Sequence, residues 1–410
     1  MKDAEISFLD NGLRLVHQLI PDSEVIHCGI FINAGSRDEN SEQSGLAHFI
    51  EHLLFKGTKK RKAFHILNRL DAVGGEINAF TTKEETCIHV TCLKQHFERA
   101  VELMADILLN STFPEEEAER EKEIIIDEIN SCRDTPSEQI YDDFEEYLFS
   151  SHPLSYPILG TVETVRKLKI EDAKQFIKKY YTLNNMCFSS VGSIPIQTIK
   201  KVCNKYLGDI PSSSKTYART VFNPNKPFDK RLKKQINQAH LILGGLGYNY
   251  NDYRRWGLIL LNNILGGPGM NSRLNLTLRE KHGIAYNIFS SYIPYSDTGC
   301  FSIYIATDFS NTEKAIQLVL KELKSLREKG LSDNQLKQAK NQLLGQIAIS
   351  QENRSSLMQF NGKNLLNYNL VESYKDTFDK ILKLKASDIK IITEEILVEE
   401  QFSLLVYKKE

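Results

Sequence analysis

Ser44-Gly-Leu-Ala-His48-Phe-Ile-Glu51-His52-Leu53 and Trp256-Gly-Leu-Ile-Leu260-Leu-Asn-Asn263-Ile264-Leu265 are two versions of one segment. The first reads as an amphipathic helix, because Leu46, Phe49, Ile50, Leu53 and Leu54 recur at helical spacing and make one apolar stripe. Off that stripe, His48 and His52 stand one above the other, four residues apart, with Glu51 beside them. In the second version the same positions hold Leu260, Asn263 and Ile264. A further pair repeats the relation: Phe113-Pro-Glu-Glu-Glu-Ala aligns with Leu331-Ser-Asp-Asn-Gln-Leu, which sets Glu128 opposite Gln346. Between the copies runs a polar stretch from Pro211-Ser-Ser-Ser-Lys to Asn223-Pro-Asn-Lys-Pro227. The expected organisation is therefore a domain at 1–210, a linker at 211–228 and a homologous domain at 229–410 without the ionisable set. A scaffold that dispenses with these groups in one copy does not need them to fold, so their presence in the other points to function.

Each half mixes strand and helix signals. Runs at Leu13–Ile20, Val25–Asn33, Ile88–Leu93, Ala239–Leu243 and Phe301–Ala306 read as strands, and Glu76–Thr82 with Glu85–Leu93 as a hairpin after a helix stop at Gly74-Gly75. Periodic runs at 44–56, 95–111, 114–131, 168–180, 255–265 and 314–329 read as helices. This order predicts an α+β fold, each domain a mixed or antiparallel sheet packed with helices. Ser41 or Ser44 is expected to cap the helix at 45–57, and Thr112 with Glu115 to form a capping box for the next acidic helix.

With 410 residues, 41% of them hydrophobic and 26% charged, the chain has the composition of a soluble globular protein. A formal net charge of −1 gives no general attraction to nucleic acid or to a membrane surface. No apolar run is long enough to span a bilayer, and the first residues lack the apolar core of a signal peptide, so a cytoplasmic location is expected. The seven cysteines are scattered without a C-x-x-C pair and read as free thiols of a reducing compartment.

His48-Phe-Ile-Glu51-His52 is an H-x-x-E-H pattern, the reverse of H-E-x-x-H. Two imidazoles and an adjacent carboxylate are the minimum set for a zinc-dependent hydrolase, but a catalytic zinc takes three protein ligands. The third is sought in the acidic helix. A solvated face accounts for most of its carboxylates. Glu121 and Glu128 differ, being two turns apart on one face, and Glu128 adjoins the apolar run Ile124-Ile125-Ile126 and is expected to be partly buried. The short basic run Lys59-Lys60-Arg61-Lys62 is read as solvated, and His17, His27, His89 and His240 as ordinary strand residues.

These motifs together resemble the pitrilysin family of H-x-x-E-H zinc peptidases, in the short single-chain bacterial type. The match extends through Gly74-Gly75-Glu-Ile-Asn78-Ala79-Phe80-Thr81, Asp134-Thr-Pro, Leu265-Gly-Gly-Pro268-Gly-Met-Asn-Ser-Arg273-Leu and Arg279-Glu-Lys-His-Gly-Ile-Ala-Tyr286. Pro268 interrupts what is usually an all-glycine run. The resemblance implies that His48, His52 and Glu128 hold one Zn²⁺ per chain, that Glu51 is the general base, and that Glu121 orients a ligand histidine. It implies that Asn78, Ala79 and Phe80 hold the substrate backbone, and that Arg279 and Tyr286 reach the substrate and the developing oxyanion. In the family's long members that pair comes from the opposite half of a chamber, so a homodimer completing each site across chains is expected. The activity implied is endopeptidase cleavage of extended or unfolded peptides. The alternatives are a catalytically idle structural subunit, as in some relatives, or one half of a heterodimeric processing peptidase.

Overall fold

Val25-Ile-His-Cys-Gly-Ile-Phe-Ile forms a strand covered on both faces: Ile26, Cys28, Ile30 and Ile32 enter one core and Phe31 another. The computed structural model describes residues 3–213, 215 and 217–410. Its first sheet contains β1 (Glu5–Phe8), β2 (Arg14–Leu19), β3 (Val25–Ile32), β4 (Glu76–Thr81), β5 (Thr86–Leu93) and β6 (Met186–Gly192) in the order β1-β2-β6-β3-β5-β4. The second contains β7 (Asp229–Lys234), β8 (Ala239–Gly247), β9 (Ala285–Pro294), β10 (Gly299–Thr307) and β11 (Ser403–Lys409) in the order β7-β11-β8-β10-β9. Among the described residues only β2/β6 and β7/β11 pair in parallel. The second sheet thus repeats β2, β6, β3, β5 and β4 strand by strand and direction by direction, without a counterpart of β1. The fold is α+β, with two mixed sheets, each packed with helices.

The compact units are not the contiguous halves expected from the sequence. The first comprises the chain up to Asn130, Tyr156–Arg219 and Ile349–Tyr374; the second comprises Ser131–Ser155, Thr220–Ala348 and Lys375–Glu410. Each half lends a helix to the other half's sheet. The helix Pro136–Leu148 buries Ile140, Phe144 and Leu148 with Ile242, Tyr304, Leu405 and Tyr407 of the second sheet. There the Tyr407 hydroxyl donates to Asp143 at 2.6 Å and the Tyr295 hydroxyl to Glu145 at 2.9 Å. The helix Arg354–Tyr368 buries Leu357, Met358, Leu365 and Leu366 with Val16, Phe31, Cys187 and Val191 of the first sheet. Its Gly362 lies flat on Phe31, where a Cβ would stand 2.3 Å from the ring. This helix buries Asn361 and Asn364 together with its leucines, so its sequence shows no clean apolar stripe.

The remaining face of each sheet carries the larger core of its unit, the first core in the first unit and the second core in the second. In the first unit it is filled by helices Leu46–Leu54, Phe97–Asn110 and Glu115–Arg133; in the second, by Arg255–Gly266, Thr312–Lys329 and Ala386–Ile396. Six of the seven free cysteines are buried. Among the described residues no helix is long and apolar enough to cross a membrane.

Candidate metal centre

The helix Leu46–Leu54 places Leu46, Phe49, Ile50, Leu53 and Leu54 in the first core, which turns His48 and His52 to the opposite side. Neither Ser41 nor Ser44 caps it. The cap is Glu39, whose carboxylate accepts from Gly45 N at 2.9 Å and Ala47 N at 2.7 Å. A carboxylate reaches two orphan donors at once and meets the positive end of the helix dipole. Gly45 has φ 95°, and a Cβ there would lie 2.7 Å from the Leu159 carbonyl oxygen, so the entry to the helix requires glycine.

The acidic helix Glu115–Arg133 packs Ala118, Ile125, Ile126 and Ile129 into the same core. The expected capping box is not formed: Thr112 instead bonds the Gly57 carbonyl through its N–H at 3.0 Å and its hydroxyl at 3.3 Å. Glu121 and Glu128, two turns apart, both meet the histidines. Glu121 Oε2 lies 2.9 Å from His52 Nδ1, and its Oε1 lies 2.7 Å from Lys56 Nζ. Glu128 Oε2 lies 3.8 Å from Nε2 of each histidine. Donor atoms of His48, His52 and Glu128 all fall within 4.8 Å of one another. A separation of 3.8 Å exceeds a hydrogen bond, so these groups converge without satisfying each other. The degree of burial differs from expectation. The Glu121 side chain is 3% exposed, whereas that of Glu128 is 48% exposed and open to solvent.

Burial pushes the His48 imidazole down to about 4, helped by the neighbouring His52. The ring is therefore neutral at pH 7, the form that ligates metals. Its Nδ1 is buried with no hydrogen-bond partner. Burial also raises the Glu51 carboxyl above the usual range, opposed by a hydrogen bond from Thr81 and by His52. The Thr81 hydroxyl donates to Glu51 Oε2 at 2.6 Å. Thr81 closes the Gly74–Thr81 motif but the sequence alone gave it no role. The available signal is strand parity: Ile77 and Ala79 pack against the first core, and Thr81 shares their face.

The three strand residues expected at the substrate divide by face. Ala79 points toward the metal helix, while Asn78 and Phe80 point away, and Phe80 has the His89 ring and Lys363 as neighbours. Their strand, β4, is the edge of the first sheet. Arg279 and Tyr286 belong to the second unit, whereas every residue of the metal centre belongs to the first. Arg279 lies in the π-helical segment Asn275–Lys281, with its side chain 42% exposed. Tyr286, near the start of the edge strand β9, is 81% exposed. His17, His27 and His240 each bond a hydroxyl through Nδ1, at 2.9, 2.9 and 2.8 Å. The basic run is not uniformly solvated: Arg61 pairs with Glu102 at 2.7 Å and with Asp106 at 2.5 Å.

Residues 14–162 match the family model described as Insulinase (Peptidase family M16), and residues 167–343 match the model described as Peptidase M16 inactive domain. The chain is 35% identical to the "uncharacterized zinc protease YmxG" of Bacillus subtilis, over 91% of this chain and 89% of that protein. The chain belongs to peptidase family M16. An "uncharacterized zinc protease" of Rickettsia bellii is 32% identical to this M16 chain over 94% of its length and 92% of the relative's. The fold is shared with the crystal structure of a peptidase M16 inactive domain from Pseudomonas fluorescens, at TM-score 0.93 and 19% identity, covering 100% of this chain and 98% of that one. A protease from Helicobacter pylori superposes with TM-score 0.90 at 21% identity, over 99% of both chains. The "inactive" model covers the half in which Leu260, Asn263 and Ile264 replace the ionisable set of this M16 chain.

Proposed function

We propose that the chain is a zinc-dependent endopeptidase acting on extended or unfolded peptides. The observation that carries this reading is the convergence of His48, His52 and Glu128 donors within 4.8 Å, with Glu51 on the same helix. Two imidazoles and a carboxylate are a donor set of catalytic zinc, and a tetrahedral ion places its ligand atoms about 3.3 Å apart. The observed separations of 3.8 Å approach that spacing, and Glu121 holds His52 through the other ring nitrogen, as outer carboxylates of metal sites do. When bound, the ion supplies Lewis-acid polarisation of the scissile carbonyl and of the attacking water.

The chain's own residues supply the rest. Glu51, with Oε2 held by Thr81, has Oε1 available to take the water's proton and pass it to the leaving amine nitrogen. Burial that raises its carboxyl moves it toward the pH at which such transfers work best. Glu121 fixes the His52 tautomer, leaving the Nε2 lone pair toward Glu128. The open edge of β4, at Asn78–Phe80, takes the substrate main chain as an added strand, which favours extended segments of varied sequence. Arg279 and Tyr286, exposed in the second unit, grip the substrate carbonyl and the developing oxyanion of a partner chain's site in a homodimer.

Metal analysis combined with cleavage of a quenched unstructured peptide tests the reading. Wild type and Glu51→Gln both carry stoichiometric zinc, and Glu51→Gln loses about 10²–10⁴-fold in rate. Wild type that binds no metal overturns the assignment. Mixing Glu51→Gln with Arg279→Ala tests the dimer. Recovered activity supports completion across chains, and subunits that exchange yet stay inactive refute it.

A further inference from the structure

The edge strand and the general base are joined by one side chain. Thr81 is the last residue of β4, and Thr82 N bonds the Glu85 carbonyl at 2.8 Å as the chain turns into β5. Antiparallel pairs alternate between bonded and non-bonded positions. With Thr82 and Glu85 bonded, Phe80/Cys87 and Asn78/His89 are the next bonded pairs. The main-chain groups of Ala79 and Thr81 therefore face the open edge. Thr81 offers its backbone to an incoming strand and its hydroxyl to Glu51, at 2.6 Å.

Both partners of this hydrogen bond are fixed by one short loop, residues 35–39. Ser36 N bonds the Thr82 carbonyl at 3.1 Å, and Arg37 N bonds the Lys83 carbonyl at 2.8 Å. The buried Arg37 guanidinium pairs with Glu84 at 2.6 Å. The hairpin turn approaches so closely that a Cβ on Gly35 would lie 2.2 Å from the Thr82 carbonyl oxygen. Two residues after Arg37, Glu39 caps the helix that carries Glu51. The loop thus ties the hairpin that presents Thr81 to the helix that presents Glu51. Threonine is β-branched and stiff at χ1, which suits it to hold a partner in one rotamer.

We infer that Thr81 is a positioning residue for Glu51: its hydroxyl fixes the carboxylate rotamer, so that peptide seated on the β4 edge meets a base already aimed. The inference rests on the peptidase reading for its kinetic consequence, though not for its structural one. The hydroxyl holds Oε2 and leaves Oε1 to face the reacting atoms. Loss of the hydroxyl then lowers turnover more than substrate binding, since the backbone edge is untouched.

Thr81→Val keeps the shape and strand preference while removing the donor, and Thr81→Ser restores the donor. In Thr81→Val, kcat is expected to fall about 10-fold or more, below the full general-base contribution of about 10²–10⁴-fold, with KM within twofold. Thr81→Ser is expected to recover most of that loss, and both variants to retain wild-type zinc content and melting temperature. Crystals of metal-free Thr81→Val are expected to show the Glu51 carboxylate displaced from its wild-type rotamer. An unchanged kcat, a rise in KM alone, a Ser variant as impaired as Val, or an unmoved Glu51 in those crystals overturns the inference. A wild type that cleaves no peptide defeats the peptidase reading, while the crystallographic comparison still decides whether Thr81 holds Glu51.

Discussion

The helices Leu46–Leu54 and Arg255–Gly266 occupy the same place in two units of the same topology, yet among the described residues only the first contributes to a cluster that could hold a metal ion. Their apolar stripes agree at three positions: Leu46, Phe49 and Leu53 correspond to Leu258, Leu261 and Leu265, all buried, whereas Ile50 and Leu54 fall opposite Asn262 and Gly266. The ionisable positions diverge together. His48 becomes Leu260, fully buried in the second core, and across from it Glu121 and Glu128 become Ala339 and Gln346. Even a shared glycine serves different ends. Gly45 turns left-handed against Leu159 and Gly160, whereas Gly257 is helical and leaves room for Ile392. The scaffold is set by the shared stripe positions and the strand order, and the site is an addition to it. Each helix buries a polar atom without a hydrogen-bond partner, His48 Nδ1 in the first and Asn262 Oδ1 in the second.

The comparison is broken most severely by making the first helix resemble the second. His48→Leu with His52→Ile, copying Leu260 and Ile264, is expected to abolish stoichiometric zinc and all metal-dependent cleavage. In the metal-free state, His48→Leu alone is expected to stabilise by about 1 kcal/mol, because a buried unsatisfied nitrogen is removed, whereas the double variant is expected to lose that gain, because buried Glu121 loses its hydrogen bond to His52. Zinc analysis and urea unfolding in chelator read both effects. A variant that no longer folds would show that the second helix is not an adequate template for the first.

A smaller step concerns the acidic helix Glu115–Arg133, whose counterpart Asp333–Ser350 has Ala339 in place of Glu121. Glu121→Gln keeps the shape of the carboxylate while weakening its bond to His52 Nδ1 and its pair with Lys56. Zinc affinity, measured by chelator competition, is expected to fall about 10–100-fold. Unchanged affinity would make Glu121 a packing residue only.

The smallest effect isolates the burial of an imidazole from metal binding. His17, on β2, is held at about 4 by burial and has no part in the metal centre. Its folded value lies below the ordinary 6.5, so between these values the unfolded chain binds more protons. The stability it contributes is fully present above pH 6.5, declines as pH falls toward 4, and is gone below that value. His17→Gln is expected to flatten the loss of stability between pH 7 and pH 5, read as urea midpoints at the two pH values. A slope equal to wild type would place the proton uptake elsewhere.

Much of the site could be read locally because helical periodicity fixes it. Four- and seven-residue spacings put His48 with His52 and Glu121 with Glu128 on common faces before any tertiary contact is known. The strand runs and the internal repeat also gave the α+β class. The helix cap could not be read, because Glu39 reaches Gly45 and Ala47 across a loop, while Ser41 and Ser44 satisfy only the local rule. Thr81 was visible as a motif residue, but its bond to Glu51 joins residues thirty apart.

By itself, then, the sequence determined the strands and helices, the duplication and the face on which each metal-centre side chain stands, since these follow from periodicities of two and 3.6 residues. Only the tertiary structure decided which carboxylate is buried, which group caps the metal helix and where the domains divide. The helices Pro136–Leu148 and Arg354–Tyr368 each complete the sheet of the other half. The physical reason is that burial of apolar area rewards any surface that fits, however far away along the chain it lies.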